Sequence, residues 1–352
     1  MLDVLSIVLG SVTVIVTALS LLRARAWWIR IWDFPRVQVA LLGIAALVLG
    51  AVDGSLDWPA TGLASLVGVA SGYQVALVWR YTRLAPREVQ QNRLDERDRR
   101  ISLVMSNVLQ TNRESERLLA VVRDRDPDLV LCVETDDWWE KQLDALVETY
   151  PHVVRCPLPN TYGMLLYSRL PLEETQVDFL VEPDIPSIQA NVRLRDGTLV
   201  WLNCVHPRPP APGESDESLE RDAELLLVGK RVRDAAMPVI VCGDLNDVAW
   251  SRTTRLFQKV SRLVDPRKGR GFYSTFHARW PGFRYPLDHV FHSGDFRLVA
   301  MGRLGNVGSD HFPVYIGLSH EPQAAAEQEA PEEHAEDLEE AHETIAEEKA
   351  SD

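Results

Sequence analysis

The sequence predicts an α/β protein that begins with a membrane anchor and continues into a two-layer folded domain. Apolar runs occupy most of the first eighty of its 352 residues. From there to about residue 319, short apolar runs rich in β-branched residues alternate with a few longer amphipathic segments, which is typical of mixed strands and helices. We therefore expect a membrane anchor at 1–82, a juxtamembrane linker or solvated helix at 83–100, the folded domain at 101–319 and a disordered acidic tail at 320–352.

The amino-terminal runs are of a length suited to transmembrane helices. Residues 4–22 and 58–79 contain nineteen and twenty-two residues without a charge, close to the roughly 20 residues that cross hydrocarbon as a helix. The middle run, 37–52, has only sixteen. Five of the ten tryptophans lie at the edges of these runs, where indole rings favour the headgroup level. We expect about three transmembrane helices and a lipid bilayer as their partner.

A competing interpretation takes residues 4–22 as a signal peptide cleaved after Ala26. No Lys or Arg precedes this run, and it is long for the apolar part of a signal. A buried soluble hairpin is disfavoured as well, because the three runs hold more apolar length than an 80-residue domain can hide. The membrane anchor is therefore the preferred hypothesis.

Arginine placement favours one orientation of this anchor. Arginines crowd the first connection and the segment after the third run, at positions 23, 25, 30, 36, 80, 83 and 87, whereas the second connection holds only Asp53 and Asp57. Short loops rich in Lys and Arg stay in the cytoplasm, so the sequence predicts a multi-pass protein of the cell membrane with a cytoplasmic folded domain. Four cysteines without paired spacing agree with a reducing compartment. If only two runs span, the orientation reverses.

Strands and helices alternate through the folded domain. Strand candidates lie at 102–108, 128–134, 161–168, 187–194, 198–205, 237–243, 286–292 and 312–318. Helix candidates lie at 112–124, opened by a capping box of Thr111 and Glu114, and at 137–150, 215–234 and 251–260. About 220 residues are enough for a complete core.

Two polar motifs stand where apolar runs end or begin. The run 237–242 is followed by Gly243-Asp244-Leu245-Asn246, and Gly308-Ser309-Asp310-His311 precedes the run 312–316. Because strand side chains repeat with period two, Asp244 and Asn246 lie on the same side of the chain end. A carboxylate with a carboxamide, and an acid beside an imidazole, are the groups needed for metal-assisted attack on a phosphate.

Four more polar residues stand in or at the end of short apolar runs, namely Asn107, Glu134, His206 and Asp288. Taken in order with the two motifs, the set resembles the endonuclease/exonuclease/phosphatase superfamily. That superfamily includes pancreatic-type deoxyribonucleases, abasic-site endonucleases, neutral sphingomyelinases and inositol polyphosphate 5-phosphatases. The resemblance covers roughly residues 100–319, and it implies a β-sandwich of two sheets packed face to face and flanked by helices.

The resemblance implies a metal site. Glu134 corresponds to the family's metal-binding glutamate, with Asn107 and Asp310 near the same ion. A small set of oxygen ligands suits Mg²⁺, with Mn²⁺ as the alternative, and the absence of a Cys/His cluster argues against zinc. Val133 stands where the family usually has Gln, and Leu287 where a polar residue is common, so the surroundings of the first ligands depart from the pattern.

The resemblance also implies catalytic roles. Asp244 and Asn246 correspond to the pair that orients the attacking water and contacts the scissile phosphate. His311 corresponds to the general base or electrostatic partner of the phosphate, and Asp288 to the carboxylate that fixes its tautomer. His206 corresponds to a second histidine that protonates the leaving group or binds the phosphate.

Each motif alone also has an ordinary structural explanation. Asp-x-Asn after a strand is commonly a turn or a helix N-cap, Asp310 and His311 suit a surface turn, and Glu134 suits the cap of the following helix. The ordered set as a whole favours a phosphoesterase. The remaining histidines of the domain, His152, His277, His289 and His292, are interpreted as surface or packing residues, with His289 the nearest to the site.

Charge leaves the substrate open. Residues 321–352 hold thirteen acidic residues and one lysine, so they account for −12 of the formal −14 and leave about −2 for the rest. The body therefore lacks the basic stripe usual in duplex nucleases. A smaller cluster, formed by Arg267, Lys268, Arg270, Arg279 and Arg284, suits one phosphorylated headgroup, a nucleic-acid strand or a solvated loop.

These observations lead to three hypotheses. The first is a membrane-anchored, divalent-metal-dependent phosphoesterase that hydrolyses a phosphodiester or phosphomonoester by in-line attack of water. The second is a membrane-tethered DNA or RNA nuclease. The third is a catalytically silent membrane scaffold that binds a phosphorylated partner. No protein partner can be inferred.

Overall fold

The chain forms two compact units in the computed structural model, which describes residues 2–53 and 58–351. One unit comprises Met1–Pro86 together with Pro210–Ser218, and the other comprises Arg87–Pro209 and Leu219–Asp352. Asp57, one of the two acidic residues of the second connection, lies outside the described residues.

The first unit is helical. Its elements are α1 (Leu2–Leu21), α2 (Trp27–Arg30), α3 (Arg36–Asp53) and α4 (Trp58–Trp79). Helical residues 3–21 and 61–79 are long and apolar enough to cross a membrane, and a third span is counted only if Trp27–Asp33 and Arg36–Val52, bent by 71° at their junction, act as one. Two or three apolar helices can therefore span a membrane. The span that depends on this condition is the middle run, which is also the shortest of the three in the sequence.

Polar contacts lie between the long helices of this unit. Arg36 donates to Gln74 Oε1 at 3.0 Å, and Gln74 Nε2 donates to Thr17 Oγ1 at 2.9 Å. Gly43 lies so close to Ser71 that an added Cβ would meet its Oγ at 2.1 Å. Small residues and paired polar groups are typical of helices that pack in a membrane.

The short segment Pro210–Ser218 also belongs to the helical unit. The backbone N–H of Trp27 donates to the Asp216 carbonyl at 3.0 Å, and that of Ser218 donates to the Arg25 carbonyl at 3.0 Å. The unit is therefore made of two separate stretches of chain.

The second unit contains two β-sheets. The strands of the first sheet are, in the order in which they lie side by side, β10 (Phe296–Arg303), β11 (Val314–His320), β1 (Arg100–Asn107), β2 (Leu129–Val133), β4 (Met164–Ser168) and β3 (His152–Cys156). Those of the second sheet are, in the same sense, β5 (Leu172–Asp178), β6 (Ser187–Arg193), β7 (Leu199–Val205), β8 (Val239–Asp244) and β9 (Asp288–His292). The helices are α5 (Ser115–Arg125), α6 (Asp137–Leu143), α7 (Leu219–Arg233), α8 (Arg252–Ser261) and α9 (Ala335–Ser351).

Alternation along the strands produces three layers of apolar packing. Leu103 and Met105 point into a core shared with residues of the other sheet such as Leu202, whereas Val104 between them packs against residues of α5 and α6. The outer face of the second sheet, including Val241, packs against α7 and α8. This is the period-two pattern expected of strands with both faces covered. The predicted fold class, a two-sheet sandwich flanked by helices, is confirmed.

Several predicted boundaries are wrong. The first helix of the domain begins at Ser115, not at residue 112, and the predicted capping box does not form: Glu114 makes no side-chain cap, and Asn112 Oδ1 accepts from the Glu114 N–H at 3.0 Å. Residues 215–218 precede α7 instead of opening it, and α6 ends at Leu143 with only a 3₁₀ turn after it. By contrast, the helix predicted at 251–260 is present as α8, and Ser251 is its N-cap, accepting from the Thr254 N–H.

The predicted disorder of the acidic tail is wrong for its described part. Residues 335–351 form α9, in which Ala341 and Ile345 pack against apolar residues of α7 and α8. Acidic residues of the tail pair with bases of those helices, namely Glu333 with Arg233, Glu340 with Arg252 and Asp337 with Lys259. The tail therefore gains order from tertiary partners that its own composition does not reveal.

The juxtamembrane segment is not a solvated helix. Val89 is fully buried in the core between the sheets, and the Gln90 carbonyl and Asn92 N–H bond to the backbone of Leu298 in β10. Glu88 accepts from Lys268 Nζ at 2.7 Å. The prediction of a solvated segment is therefore wrong for residues 88–92, which form part of the folded domain.

Candidate active site

The candidate site lies at one end of the packed sheets. Asn107 ends β1, Glu134 follows β2, and Asp244 ends β8. Asp288, the first residue of β9, is directly opposite Asp244 in the antiparallel register. Since β1 and β2 are parallel, as are β7 and β8, their carboxyl ends share an edge. The polar residues at the strand ends thereby become one cluster.

His311 joins two buried carboxylates. Its Nδ1 lies 2.9 Å from Asp288 Oδ2 and 3.5 Å from Asp244 Oδ2. Burial on its own would lower the pKa of His311, but the two carboxylates outweigh burial and raise this pKa to about 10. The ring of Phe276 packs against the imidazole with centroids 4.9 Å apart. The imidazole is thus held in one orientation by a hydrogen bond and by ring packing.

The two carboxyl groups differ in acidity. Burial raises the pKa of Asp288, and attraction to His311 offsets this only in part. Burial also acts to raise the pKa of Asp244, but attraction to His311 and His206, with hydrogen bonds from Asn107 and the Asn246 N–H, leaves it lowered. Asp244 is therefore the more readily ionised of the pair.

Asn107 connects Glu134 to this cluster. Its Nδ2 donates to Glu134 Oε1 at 2.6 Å and to Asp244 Oδ2 at 3.0 Å, and its Oδ1 accepts from the Leu109 N–H at 3.0 Å. Burial raises the pKa of Glu134 to about 7, against the opposing effects of Asn107 and His311. Asp310 lies near enough to Glu134 and His311 to influence the pKa of both.

Asn246 and His206 lie at the margin of the cluster. The Asn246 N–H donates to Asp244 Oδ1 at 3.0 Å, but its side-chain amide donates to the Pro207 carbonyl at 3.0 Å. His206 is 3% exposed, and its ring packs against Tyr162 with centroids 5.4 Å apart. The structure thus places both predicted residues at the site, with Asn246 directed toward the loop after β7.

Two glycines allow the strand ends to come this close. At Gly243, where φ is +152°, an added Cβ would meet the Val205 carbonyl oxygen at 1.8 Å, and at Gly163 it would meet the Thr135 carbonyl oxygen at 1.9 Å. The absence of a side chain at Gly243 therefore allows β8 to approach β7 directly before Asp244. In the same way, Gly163 allows the start of β4 to approach the residue after Glu134. Any larger residue would separate these backbones.

Sequence reasoning missed Tyr162 and Phe276, which support the two histidines. Neither belongs to a motif, and each meets its histidine only through the tertiary fold. The interpretation of His289 and His292 as packing residues agrees with the structure: both are fully buried, and burial lowers their pKa values to about 3 and about 4. His289 Nε2 lies 2.8 Å from the carbonyl of Asp247, three residues after Asp244.

The predicted basic cluster does not form a single surface. Arg267 is 1% exposed and binds both carboxylate oxygens of Asp265 at 2.9 and 2.7 Å. Lys268, also buried, pairs with Glu88. Arg267 and Lys268 therefore belong neither to an exposed headgroup site nor to a solvated loop, because their buried ion pairs stabilise the fold. Only Arg279 among the five predicted members is exposed.

The residues present fit a divalent cation. Asp244 and Asp288 lie together in a buried group, and Glu134 is joined to Asp244 through Asn107. Within the described residues no Lys or Arg nitrogen lies within 4.0 Å of the oxygens of these three carboxylates. One oxygen each of Asp244 and Asp288 lies within 4.8 Å of a nitrogen of His311. Concentrated carboxylate oxygen with no Lys or Arg partner in the described part of the chain is the donor chemistry that hard ions such as Mg²⁺ prefer.

Solved structures share this fold at low sequence identity. The D. rerio TDP2 structure in complex with a single-strand DNA product has a TM-score of 0.53 and 17% identity, covering 62% of this chain and 99% of that chain. The human Nocturnin catalytic domain with bound sulfate has a TM-score of 0.52 and 17% identity, covering 66% and 99%. An endonuclease/exonuclease/phosphatase from Beutenbergia cavernae has a TM-score of 0.52 and 20% identity, covering 63% and 72%. A comparison with curated proteins finds no match.

The sequence itself identifies the family. Residues 105–311 match the Endonuclease/Exonuclease/phosphatase family, an interval that begins two residues before Asn107 and ends at His311. It contains every site residue described above and most strands of both sheets. The chain therefore belongs to the endonuclease/exonuclease/phosphatase family.

Proposed function

We propose that this protein is a membrane-anchored phosphoesterase that hydrolyses a phosphate ester with the help of a divalent cation. The observation that carries the proposal is the buried Asp244–His311–Asp288 cluster, with His311 Nδ1 at 2.9 and 3.5 Å from the two carboxylates. Members of the family are hydrolases acting on phosphoester bonds. An intact set of these groups argues against the silent-scaffold hypothesis.

Each residue of the cluster has a place in this proposal. Glu134, with Asn107 and Asp310 beside it, would hold Mg²⁺ or Mn²⁺, which when bound polarises the phosphate and neutralises its charge. Asp244 orients the attacking water, with Asn246 next to it. Asp288 fixes the orientation of His311, whose raised pKa suits it to be the electrostatic partner of the phosphate rather than the general base. His206, held by Tyr162, protonates the leaving group or binds the phosphate.

A substrate panel tests the proposal. The full chain, purified in detergent with Mg²⁺, is assayed against phospholipid headgroups, inositol phosphates, RNA, and single- and double-stranded DNA. We expect hydrolysis of at least one class, and loss of that activity in Asp244→Asn protein. An absence of hydrolysis across the panel by folded protein would favour the scaffold hypothesis.

A tethered nuclease is the second candidate. It is favoured by the similarity to the TDP2 structure that holds a single-strand DNA product. The burial of Arg267 and Lys268 argues against it, because these residues no longer contribute to a surface that follows a nucleic-acid backbone. Cleavage of DNA or RNA by the full chain, with no turnover of lipid or inositol phosphates, would establish the nuclease.

We further propose that the helical unit crosses the cell membrane more than once and leaves the catalytic unit in the cytoplasm. The proposal rests on the arginines of the first connection and of residues 80–87, which resist translocation. A reporter that is active only in the cytoplasm, fused after Ser351, should be active, and one that is active only after export should be silent. The opposite pair of results would show that the catalytic unit faces outward.

A further inference from the structure

An arginine-lined cavity lies beside the catalytic cluster. Its volume is about 470 Å³, and its walls include Arg113, Arg117, Arg279, Leu109 and Gly308. This size is within the range of small-ligand sites. The lining contains three guanidinium groups and the carboxylate of Glu114. Together with Asp136, which pairs with Arg113, these groups sum to a net charge of +1, so the cavity suits an anion.

Two of these arginines are already fixed in position. Arg113 pairs with Asp136 at 3.0 Å and stacks over the ring of Trp138, 4.6 Å from its centroid. Arg117 pairs with Glu114 at 3.0 Å. Guanidinium groups held by carboxylates lose less side-chain freedom when an anion binds.

Arg279 supplies charge without a counterion. Its side chain is exposed, and in the described part of the chain no carboxylate oxygen lies within 4.0 Å of its guanidinium. Its loop is tied to the catalytic segment, because the Ala278 N–H donates to the Asp310 carbonyl at 2.6 Å. An uncompensated arginine is thus held next to residues of the proposed active site.

The cavity and the catalytic cluster share two loops. Leu109 comes two residues after Asn107, and Gly308 comes two residues before Asp310, and two residues span at most about 7 Å. The loops press on each other at Gly308, where an added Cβ would meet Asn112 Oδ1 and Glu114 Oε2 at 2.6 Å. A phosphate group bound in the cavity could therefore belong to the same substrate molecule as the scissile phosphate and lie close to it.

We propose that this cavity binds a second phosphate group of the substrate, so that the enzyme acts on phosphate esters carrying at least one more phosphate. The proposal rests on the proposed phosphoesterase function. The carboxylates of the catalytic cluster repel such a group, whereas Arg113, Arg117 and Arg279 attract it through charge-assisted hydrogen bonds. A neighbouring nucleotide and a phosphorylated lipid headgroup would both supply this chemistry.

Direct binding tests the cavity without relying on turnover. Calorimetric titration of the full chain with inorganic pyrophosphate, in excess chelator so that metal binding does not contribute, should give at least about tenfold weaker binding for Arg279→Ala than for wild type. Arg123→Ala, on the exposed face of α5 outside the cavity, is the matched control and should bind like wild type. Equal binding by all three proteins would overturn the proposal.

Paired substrates test the role of the cavity in catalysis. One pair is thymidine 5′-(p-nitrophenyl phosphate) with and without a 3′-phosphate, and the other is a phosphoinositide with one or two ring phosphates in mixed micelles. Arg279→Ala should lower kcat/KM about tenfold for the member with the extra phosphate through a higher KM, and leave its partner unchanged. The pair that shows this effect identifies the source of the phosphate. An equal loss of kcat/KM for both members of a pair would contradict the proposal. If the wild-type protein hydrolyses none of these substrates, the proposed phosphoesterase function is rejected. The pyrophosphate titration then decides by itself whether the cavity binds phosphate.

Discussion

Asp244→Asn and His311→Ala should each lower turnover by about 10²-fold or more, because the loss of a charged partner of the phosphate or of a water-positioning group typically costs that much. Asp244 accepts from Asn107 and from the Asn246 N–H and lies 3.5 Å from the imidazole. The amide of asparagine retains the shape but not the charge that attracts His311. Turnover is measured on the substrate that the panel identifies.

The double variant gives a sharper test of this prediction. Since both groups act on one water and one phosphate, the combined loss should fall well short of the product of the single losses. Asp124→Asn and His342→Ala, both at exposed positions, are matched controls that should keep wild-type rates. Near-normal rates in the two single variants would show that the site has been placed wrongly.

Removal of divalent cations should abolish turnover, and Mg²⁺ or Mn²⁺ should restore it. The physical reason is that Glu134, Asp244 and Asp288 have no Lys or Arg partner among the residues that the structure describes, so a cation is needed to compensate the charge of the substrate phosphate. Glu134→Gln should raise the Mg²⁺ concentration needed for half-maximal activity by about tenfold or more. The isosteric amide can still accept the hydrogen bond from Asn107.

A second readout separates metal binding from catalysis. Mg²⁺ that binds only the folded protein should raise the thermal unfolding midpoint of wild type, and this shift should shrink in Glu134→Gln. Glu116→Gln, on the exposed face of α5, should behave like wild type. Full activity in excess chelator would rule out the metal mechanism, and an unchanged metal requirement would remove Glu134 from the site.

The site could be predicted because its residues lie where buried strands end. Asn107, Glu134 and Asp244 each follow a fully or largely buried run, so their positions were visible in the hydrophobic pattern. Tertiary partners were not visible. Tyr162 and Phe276 reach the histidines only after the two sheets pack, and the buried ion pairs of Arg267 and Lys268 depend on Asp265 and Glu88.

The strands that sequence reasoning missed are all at sheet edges. β3 and β10 are the two edges of the first sheet, and β5 is an edge of the second. Edge strands are half-exposed and carry charged residues that discourage further pairing; β5, with the sequence LEETQVD, is an example. Their weak alternation hides them, whereas the central strands read as nearly continuous apolar runs.

The two stretches that build the helical unit mean that no single cut separates it from the unit that contains the sheets. The chain passes between the units at residues 86/87, 209/210 and 218/219, so a protease that cleaves the juxtamembrane segment leaves the loop 210–218 among the helices. A recombinant fragment starting at residue 87 would instead strip Asp216 and Ser218 of their backbone partners at Trp27 and Arg25. Because this loop begins four residues after His206, such a fragment would free the chain next to a predicted catalytic residue. Soluble versions of the protein are therefore better obtained by replacing the exposed apolar side chains of the helical unit than by truncation.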